Sequence, residues 1–388
     1  MARLGDVGKV VTGNTPKTSD SQNYASNDIC FVKPSDIADG IVTYLNDSEF
    51  YISEYARAKA RILPPKSVLV TCIGIIGKVA INNVECAFNQ QINAIVPDKS
   101  KCLTEYLAYA IQNKQEEMQD IANAPVVPIL NKTQFSDIEI KLPSLSEQKD
   151  IIQKLNTVSK LISLRKEQLA KLDQLVKSRF VEMFGDPVQN PMEWETVLLK
   201  SATSKIGSGA TPKGGKESYQ TEGITLIRSM NVHDGRFEYK DLAHITDEQA
   251  KQLENVTVEE NDVFINITGA SVARSCIVPK HILPARVNQH VAIIRCITSM
   301  LNPVFANQMF LNTSFKGQLL DIGESGGATR QAITKQQLET LMVILPPLEL
   351  QKQFATFVEQ TDKSKLAIQQ SLDKLELLKK SLMQEYFG

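Results

Sequence analysis

The end of this chain repeats its middle, and that repeat limits the possible folds more than any local motif does. Residues 168–185 read QLAKLDQLVKSRFVEMFG, and residues 371–388 read SLDKLELLKKSLMQEYFG. A shift of 203 residues (371 − 168 = 203) aligns three leucines, a Lys-Ser pair, a glutamate and the final Phe-Gly. A repeat of such long period indicates two similar halves, and therefore a pseudo-two-fold molecule built from one chain.

Length and composition are those of an ordinary globular protein. The chain has 388 residues, of which 42% are hydrophobic and 22% charged, which predicts about two to three domains. No apolar run approaches the ~18 residues that span a bilayer, and the start MARLGDVGKV lacks a signal-peptide core, so we expect a cytoplasmic protein with no membrane partner. The formal net charge is 43 − 44 = −1, so contacts with nucleic acid must come from local patches or be shared with a partner.

The sequence lacks the motifs of metal-dependent and catalytic sites. The six cysteines form no C-x-x-C pair and the four histidines show no ligand spacing, so we predict no metal site. The segments GDVGK (5–9) and GIIGK (74–78) have two residues between their glycines where a phosphate-binding loop has four, and we expect turns there. No zinc-protease, serine-hydrolase or amino-methyltransferase motif occurs, so we predict no catalytic residue.

Four segments follow one another in two pairs. Residues 1–143 are mixed, with short strand-like runs and a helix-like stretch at 104–121. The strand-like runs are rich in branched residues and lie at 29–32, 67–70 and 92–96. Residues 188–345 are predicted to be a short linker followed by a second mixed segment.

Residues 144–187 and 346–388 are predicted to be helical. From about Ser146 to Met183 there is no Gly or Pro, and Gly185-Asp186-Pro187 ends the stretch. Apolar residues recur there every seven positions, which favours a long helix in a coiled coil. They are Leu155, Ile162, Leu169, Val176 and Met183.

Neither helical segment has a complete apolar seam of its own. Lys365 and Lys379 stand where the first copy has apolar residues, and Arg165 and Arg179 stand where the second copy does. We therefore predict that the two helices pack against each other, each supplying apolar groups where the other is polar. Self-association with another copy of the chain is the alternative.

Two short motifs occur in both mixed segments. TGNTPK (12–17) matches SGATPK (208–213), and Asn89-Gln90 matches Asn288-Gln289. Between these motifs the two copies share little. The framework is thus kept in both halves, while the residues that it carries differ.

The loops around the two TPK motifs are candidates for phosphate binding. They are rich in Gly, Ser, Thr, Asn and Lys, whose N–H, hydroxyl and ammonium groups suit phosphate oxygens. A solvated loop is the alternative. Recurrence in both halves favours a functional role for Thr15, Lys17, Thr211 and Lys213.

The repeated Asn-Gln pair admits two interpretations. Its amides can bond to an adenine edge in the major groove, which makes Asn89, Gln90, Asn288 and Gln289 candidates for DNA binding. A turn whose amides bond to local backbone groups is the favoured alternative, because a motif shared by both halves is more often framework.

Residues that differ between the halves are better candidates for reading bases. Arginine bonded to guanine O6 and N7 is the commonest specific contact, although an exposed Lys or Arg is ordinarily only solvated. The candidates are Lys33, Ser35, Lys78, Asn131 and Lys132 in the first half, and Arg228, Asn231, Arg274 and Arg330 in the second.

Taken in order, these motifs resemble the DNA-specificity (S) subunit of type I restriction–modification enzymes over essentially the whole chain. The resemblance rests on the two G-x-T-P-K motifs, the two Asn-Gln pairs, the helix starts LPSLSEQ and LPPLELQ, and the two helices ending in Phe-Gly. It implies an α+β (mixed) fold with a pseudo-two-fold internal repeat, in which two α/β target recognition domains are separated by two long antiparallel coiled-coil helices. Residues 1–143 and 188–345 would then contain the recognition domains, and 144–187 and 346–388 would be the spacers.

The resemblance also implies a function and partners. Such a subunit is not catalytic; it binds double-stranded DNA, and each recognition domain reads one half of a split site, which the differing halves predict to be asymmetric here. Two modification subunits carry S-adenosylmethionine and methylate adenine N6, and restriction subunits supply ATP- and Mg-dependent translocation and cleavage. No cofactor is therefore expected in this chain. An enzyme acting alone and a scaffold whose mixed segments bind proteins are the competing hypotheses.

The two ends of the chain carry separate expectations. Many members of the family have a short run, often with an aromatic residue, before the first recognition domain, whereas this chain starts almost on the motif at Arg3. The second copy has Trp194 in that place. At the other end, the match of Phe387-Gly388 with Phe184-Gly185 predicts that the second half is complete.

Overall fold

The chain forms two compact units that share the two long helices. The computed structural model describes residues 1–122, 128–212, 214–324 and 331–388. The first unit consists of residues 1–166 and 370–388, and the second of residues 167–369. Each unit therefore combines one mixed segment with parts of both helical segments.

The first unit is built on a five-stranded sheet. Its strands, in spatial order, are Gly8–Thr12, Ile92–Pro97, Val68–Thr71, Val79–Asn82 and Val42–Leu45. Neighbours are antiparallel except the last pair, which is parallel. The central strands are buried on both faces, as their runs of Val, Ile, Leu and Ala require.

A second sheet completes the mixed part of the first unit. Its strands, in order, are Tyr51–Ile52, Ile29–Val32, Cys86–Phe88 and Ile62–Leu63, and the middle pair is parallel. The three strand-like runs predicted for this segment are therefore confirmed, with bounds moved by one residue at most. The strand Ala2–Arg3 pairs with Glu139–Ile140 and brings the two ends of the segment together.

The predicted helix at 104–121 is wrong in one respect, because the structure divides it in two. Thr104–Asn113 and Gln115–Ile121 are separate helices, and Lys114 between them has φ −94° and ψ 13°. The break lets Gln115 Nε2 donate to the Ile76 carbonyl at 3.2 Å. The GIIGK segment that Ile76 belongs to is a turn, as predicted, and Gly74 and Gly77 there both have positive φ. The turn predicted at GDVGK is wrong, because residues 4–7 form a short helix and a strand begins at Gly8.

The second unit repeats the same arrangement with one strand fewer in each of its two main sheets. Its larger sheet has the order Thr203–Ser208, Val291–Cys296, Val263–Asn266 and Ser275–Ile277, all antiparallel. Its smaller sheet has the order Ala243–Ile245, Ile224–Ile227 and Ala285–Val287, and the last pair is parallel like its counterpart in the first unit. Thr196–Leu198 pairs with Met342–Ile344, in the same way as Ala2–Arg3 pairs with Glu139–Ile140.

Short helices flank the second unit's sheets. Pro303–Leu311 and Thr313–Glu324 correspond to the divided helix of the first unit, and Lys335–Glu339 corresponds to Lys132–Asp137. One difference lies after the strand of the smaller sheet that comes first along the chain, Ile224–Ile227 in the second unit and Ile29–Val32 in the first. There the second unit has the hairpin of Val232–His233 and Arg236–Phe237, whereas the first unit adds Val42–Leu45 to its larger sheet.

Two helices of equal length make up the helical segments. The central helix is Leu145–Phe184 and the C-terminal helix is Leu348–Phe387, each of 40 residues. Both bounds differ by the shift found in the sequence, since 348 − 145 = 203 and 387 − 184 = 203. The helical prediction is thus confirmed; the division of the chain into recognition domains and spacers stays a prediction.

A buried glutamine fixes the start of each long helix. Gln148 Nε2 donates to the carbonyls of Lys101 and Pro143 at 2.9 Å each, and Leu103 N donates to its Oε1 at 2.8 Å. Gln351 makes the equivalent contacts with Met300 O, Pro346 O and Asn302 N. Both glutamines are fully buried, so each ties the helix start to the loop before the Thr104 or Pro303 helix.

A buried phenylalanine fixes the end of each long helix. In the second unit the Phe184 ring lies 4.7 Å from the Phe305 ring, and Trp194 Nε1 donates to the Phe184 carbonyl at 3.0 Å. In the first unit the Phe387 ring lies 5.2 Å from the Tyr106 ring. Each helix that leaves one unit therefore ends in the core of the other unit.

The two long helices are antiparallel within each unit. In the first unit Lys154 Nζ lies 3.2 Å from Tyr386 Oη, and Lys166 Nζ lies 2.9 Å from Glu376. Residue numbers therefore increase along one helix while those of the contacting residues decrease along the other. In the second unit the same order is shown by other pairs, Asp173 with Lys365 and Phe180 with Phe354. The antiparallel coiled-coil prediction is confirmed.

The charged residues predicted on the apolar seam are half-buried. Lys365 forms ion pairs with Asp173 at 2.7 Å and Asp362 at 3.2 Å. Burial alone would lower the pKa of Lys365, but these two carboxylates hold it above its ordinary value. Lys379 differs: burial and the charge of Lys166 lower its pKa, and Glu376 opposes them only in part.

Among the described residues no helix is long and apolar enough to cross a bilayer.

Candidate nucleic-acid interface

The two repeated motifs meet in space in both units. In the first unit the Thr15 hydroxyl donates to Gln90 Oε1 at 2.6 Å. In the second unit the Thr211 hydroxyl donates to Gln289 Oε1. All four side chains are exposed, so the contact places one threonine and one glutamine at the surface in the same way in each half.

In each unit a glycine allows the TPK loop to lie against the Asn-Gln turn. A Cβ atom at Gly13 would lie 2.1 Å from the Asn89 carbonyl oxygen, and one at Gly209 would lie 1.8 Å from the Val287 carbonyl oxygen. No side chain fits at such distances, so the TPK loop can approach the Asn-Gln turn only with glycine there. The repeated G-x-T-P-K pattern thus has a structural cause.

The asparagines of the two Asn-Gln pairs form turns. Asn89 Oδ1 accepts from Gln91 N at 3.1 Å, and Asn288 Oδ1 accepts from His290 N at 3.0 Å. Their side chains are only 6% and 5% exposed. The turn interpretation therefore describes the two asparagines, while the exposed glutamines beside them keep their amide N–H groups at the surface.

The TPK loop of the first unit is held in place by a buried and a half-buried side chain. Asn23 Nδ2 donates to the Lys17 carbonyl at 2.9 Å, and Tyr24 Oη donates to the Pro16 carbonyl at 2.7 Å. The Lys17 side chain is exposed. Its predicted counterpart, Lys213, lies outside the described residues.

An ion pair between Lys59 and Asp20 also stabilises this loop. Lys59 Nζ lies 2.9 Å from Asp20 and donates to Asn23 Oδ1 at 3.1 Å. The hydrogen bond from Lys59 lowers the pKa of Asp20, and the same contact raises the pKa of Lys59. Both groups are therefore charged at neutral pH, and the ammonium of Lys59 is held beside the loop.

A short turn follows the first parallel strand in each unit and carries the next candidates. Pro34–Asp36 in the first unit and Ser229–Asn231 in the second are single 3-10 turns. Lys33 N donates to Asp36 at 2.7 Å, and Arg228 N donates to Asn231 at 3.1 Å. Lys33 and Arg228 thus occupy equivalent positions, and Ser35 is exposed at the tip of its turn.

The structure argues against a base-reading role for Asn231. Its side chain is 0% exposed, and its Nδ2 donates to the Glu238 carbonyl at 3.0 Å. Its Oδ1 is taken by Arg228 N. The amide therefore stabilises the turn and the hairpin that follows, a role that only long-range contacts reveal.

Lys78 and Arg274 are also equivalent. Each follows a tight turn in which the preceding residue, Gly77 or Ala273, has positive φ. Both side chains are half-buried. Lys78 Nζ donates to the Pro34 carbonyl at 3.4 Å, and Arg274 Nη1 lies 3.5 Å from His233 Nδ1, so each cation lies beside the turn that carries Lys33 or Arg228.

Arg228 is anchored within its own unit. Its Nη2 donates to the Asp241 carbonyl, and its guanidinium lies 5.5 Å from the centre of the Tyr219 ring. Its buried Nε has no hydrogen-bond partner among the described residues. The guanidinium is thus held in one orientation, with part of its hydrogen-bonding capacity unused.

The remaining candidates cap or adjoin a short helix. Asn131 is the N-cap of Lys132–Asp137 and accepts from Gln134 N at 2.9 Å, as Thr334 does for Gln337 at the equivalent helix of the second unit. A capping role therefore accounts for the Asn131 side chain. Lys132 is exposed, and Arg330 lies outside the described residues.

Four loops of the second unit converge on one open pocket. They are the Ser229 turn, the loop 268–274, the residue after Gln289, and the segment at 331–332. Side chains and backbone of these loops line it: Ser229, Met230, Thr268, Gly269, Ala270, Ser271, Arg274, His290, Gln331 and Ala332. Of these, sequence reasoning singled out Arg274 alone. His290 could have been found, because it replaces Gln91 directly after a motif that is otherwise repeated.

Among the described residues no group of three or more His, Cys, Asp or Glu side chains could hold a metal ion. The polar side chains that converge are instead donors: hydroxyls, amides, an imidazole and a guanidinium. Such a set suits the acceptor atoms of phosphates and base edges.

The chain matches the model of the type I restriction modification DNA specificity domain over residues 1–174 and 191–377. It belongs to that family. The two matched ranges correspond to the two halves of the internal repeat, so the repeat is a duplication of the specificity domain. The chain is accordingly the component of a type I restriction–modification system that recognises DNA sequence, and not a catalytic one.

Curated relatives of this specificity subunit match it over part or nearly all of its length. The MjaIX specificity subunit of Methanocaldococcus jannaschii is 27% identical over 382 residues, which span 92% of this chain and 85% of the relative. The HindI specificity subunit of Haemophilus influenzae is 31% identical over 147 residues, which span 37% of this chain and 32% of the relative. The StySPI specificity subunit of Salmonella potsdam is 21% identical and is matched over 100% of this chain and 88% of its own length.

Solved structures share the fold of this specificity subunit. The S subunit of a type I system from M. genitalium has a TM-score of 0.59 at 12% identity, covering 100% of this chain and 95% of that one. A chain from a study of complex assembly and conformational transition of the type I restriction–modification system has a TM-score of 0.59 at 17% identity, covering 99% and 96%. The mixed architecture with two long helices is therefore that of the family.

Proposed function

We propose that this chain reads a bipartite, asymmetric site on double-stranded DNA, one half-site per unit, and holds the modification and restriction subunits of its system. The observation that carries the proposal is the Thr–Gln contact, which occurs in the same place in both units although the residues around it differ. One framework that presents two sets of side chains is what two different half-sites require.

The differing side chains support the asymmetry of the site. At equivalent positions the first unit has Lys33 and Lys78 where the second has Arg228 and Arg274. Arginine can bond to guanine O6 and N7 with two hydrogen bonds, whereas lysine acts as a point charge. Two units with different cations on the same framework should therefore prefer different bases.

The shared side chains suit contacts that do not depend on sequence. Thr15 and Thr211, with the two exposed glutamines, occupy the same places in both units, and Lys17 lies in the same loop as Thr15. Phosphate contacts fix the register of a protein on DNA and carry no sequence information. These residues would thus position each unit, and the residues that differ would read the bases. Lys213 and Arg330 keep their predicted roles as proposals.

The long helices support the scaffolding part of the proposal. Several of their leucines face solvent, among them Leu377 at 69% exposed and Leu366 at 60% exposed. Others are Leu161, Leu164, Leu175 and Leu378. Exposed apolar groups on a long helix are available to bind a partner protein. We assign these surfaces to two modification subunits, which would carry S-adenosylmethionine, with restriction subunits supplying ATP- and Mg-dependent steps, all in the cytoplasm.

Methylation mapping tests this function. Cells that express the chain with its modification subunit should gain methylated adenines in one bipartite motif with two different halves. Exchanging the loops 33–36 and 72–78 for those of another specificity subunit should change the first half of the motif alone. An unchanged motif after that exchange, or methylation by the purified chain without a partner, would contradict the proposal.

A further inference from the structure

His290 connects three loops of the second unit through its two ring nitrogens. Its Nε2 lies 3.1 Å from Gln289 Nε2, and its Nδ1 contacts the Thr268 hydroxyl. Gln289 Oε1 in turn accepts from the Thr211 hydroxyl. A single chain of hydrogen bonds therefore runs from the TPK loop through the Asn-Gln turn to the loop at 268–274.

The contact between Thr211 and Gln289 fixes which group donates in each hydrogen bond of this series. Because Thr211 donates to Gln289 Oε1, the amide side that faces the imidazole is Nε2, which can only donate. His290 Nε2 must then accept, so the ring is neutral and carries its proton on Nδ1. That proton goes to Thr268 Oγ1, and the Thr268 hydroxyl keeps its own hydrogen for a further acceptor.

The first unit lacks this chain of hydrogen bonds. Gln91, the residue equivalent to His290, turns back and accepts from Asn89 Nδ2 at 2.9 Å. Ile73 stands where the second unit has Thr268. The Thr–Gln contact is therefore the same in both units, whereas within the described ranges its extension through an imidazole to a second hydroxyl occurs in the second unit alone.

Few charged groups face the imidazole. Arg274 lines the same pocket and contacts His233, and Gln331 on the opposite loop is bonded to Glu324 at 2.7 Å. Within the described ranges, none of these is bonded to a ring nitrogen of His290. The two nitrogens are both occupied by neutral partners, so a second proton on the ring has no acceptor there.

We propose that His290 is a positioning residue for sequence reading in the second half-site. In its neutral form His290 holds the side chains of Gln289 and Thr268. The free amide N–H of Gln289 and the hydroxyl of Thr268 then both donate towards the base edge. Two adjacent donors fit two adjacent acceptors, such as guanine N7 and O6. This inference rests on the proposed function.

Protonation of His290 would break the arrangement. A proton on Nε2 would set two donors against each other at the Gln289 contact. An amide flip that relieves this would present Oε1 where the free N–H had been, with the Thr211 hydroxyl accepting instead of donating. Reading of the second half-site should therefore weaken as the pH falls, while reading of the first half-site should not.

The test uses the complex of this chain with its modification subunit and a duplex that carries the motif mapped in cells. Competing duplexes carry one base substitution in either half, and the measured quantity is the affinity ratio between mapped and substituted duplexes. For the second half we expect this ratio to fall about five- to tenfold from about pH 7.5 to about pH 5.5. For the first half it should stay within about twofold.

Three variants separate positioning from folding. His290→Gln introduces the residue of the first unit; it should lower the second-half ratio at about pH 7.5 by about five- to tenfold and abolish its pH dependence. Thr268→Val should do the same, with first-half reading as the internal control for folding. Gln91→His is the matched control and should leave the pH profile of the first half unchanged, because Ile73 offers no hydroxyl.

Two outcomes would overturn the inference. One is a second-half ratio with the same pH profile in the wild type and in His290→Gln. The other is an equal loss of affinity for every duplex in His290→Gln with a lower salt dependence, which would make the group a phosphate contact. Failure of the wild-type complex to prefer the mapped duplex over an unrelated one would instead contradict the proposed function.

Discussion

At the scale of single residues, the glutamines at the two helix starts carry as much structure as the candidates for DNA binding. Gln148 is fully buried and makes three hydrogen bonds, all to backbone groups. Gln148→Ala would take a fully buried side-chain partner away from the Leu103 N–H and two carbonyls, all in part-buried contacts. Each lost hydrogen bond costs about 0.5–1.5 kcal/mol, so we expect the first unit to lose about 2 kcal/mol of stability.

Native-state hydrogen exchange would measure this loss unit by unit, which suits a protein with two compact units. Gln148→Ala should speed exchange in the first unit and Gln351→Ala in the second. Gln153→Ala, an exposed position on the central helix, is the control and should change neither. Equal effects of Gln148→Ala and Gln153→Ala would mean that the buried contacts contribute nothing.

The sequence could indicate that these glutamines matter, because both helix starts share L-P-x-L-x-x-Q, but it could not indicate why. Two of the three partners of each glutamine lie 45 to 51 residues away along the chain. Asn231 is the opposite case. The sequence predicted a DNA contact for it, whereas its burial gives it a structural role. Residue types report possible chemistry, whereas burial depends on tertiary contacts.

At the scale of elements, the seam between the long helices contains two lysines with opposite electrostatic situations. Lys379 lies at the position that Val176 occupies in the first copy, half-buried, with its pKa lowered by burial and by Lys166. Lys379→Val should therefore raise the free energy of unfolding, by about 0.5–1 kcal/mol near neutral pH.

The pH dependence has a definite sign. Since the folded state lowers the pKa of Lys379, the charged form destabilises the fold, and that penalty disappears as the pH rises towards the ordinary lysine value. The gain from Lys379→Val, measured by chemical denaturation, should shrink in alkaline buffer. Lys365→Ile is the matched control: it removes the ion pairs to Asp173 and Asp362 and should give no gain. A higher free energy of unfolding in both variants would show that burial of the lysine determines its effect on stability, whether or not it is paired.

Helix length gives a second prediction at this scale. The units divide the long helices after Lys166 and after Gln369, which are equivalent positions because 369 − 166 = 203. Four extra residues at both points would add about 6 Å of helix, or roughly one to two base pairs at about 3.4 Å each. The methylated motif should then keep both halves and gain about one to two unread bases between them. Methylation mapping that showed an unchanged spacer would contradict this.

The elements were largely predictable because their signals are local. Seven-residue spacing and the absence of Gly and Pro predict the long helices, and the shift of 203 residues predicts their equal length. The break at Lys114 was not predictable, since no Gly or Pro marks it. It allows Gln115 to reach the Ile76 carbonyl, a contact that depends on tertiary structure.

At the scale of the whole molecule, the internal repeat means that the order of the halves along the chain is interchangeable. Phe387 is buried in the first unit beside Tyr106, as Phe184 is buried in the second beside Phe305. Each mixed segment is thus joined by the end of the long helix that comes from the other half. This could be only partly anticipated, because the repeat predicts two halves but does not say which helix end meets which core.

A rearranged chain tests this interchangeability. It would begin at Trp194, run to Gly388, continue through a copy of residues 186–193 into Ala2, and end at Gly185. The bond from Trp194 Nε1 to the Phe184 carbonyl is kept, whereas the two bonds between the Asn190 side chain and the Trp194 backbone are lost. We therefore expect a folded protein that, with its modification subunit, methylates the motif of the original chain. The control lacks the copied linker and joins Gly388 directly to Ala2; it should fold less well, because the original connection from Gly185 to the strand at Thr196–Leu198 spans ten residues (186–195). If the rearranged chain folded but methylated a different motif, reading of each half-site would depend on the order of the halves and not on the residues of each unit.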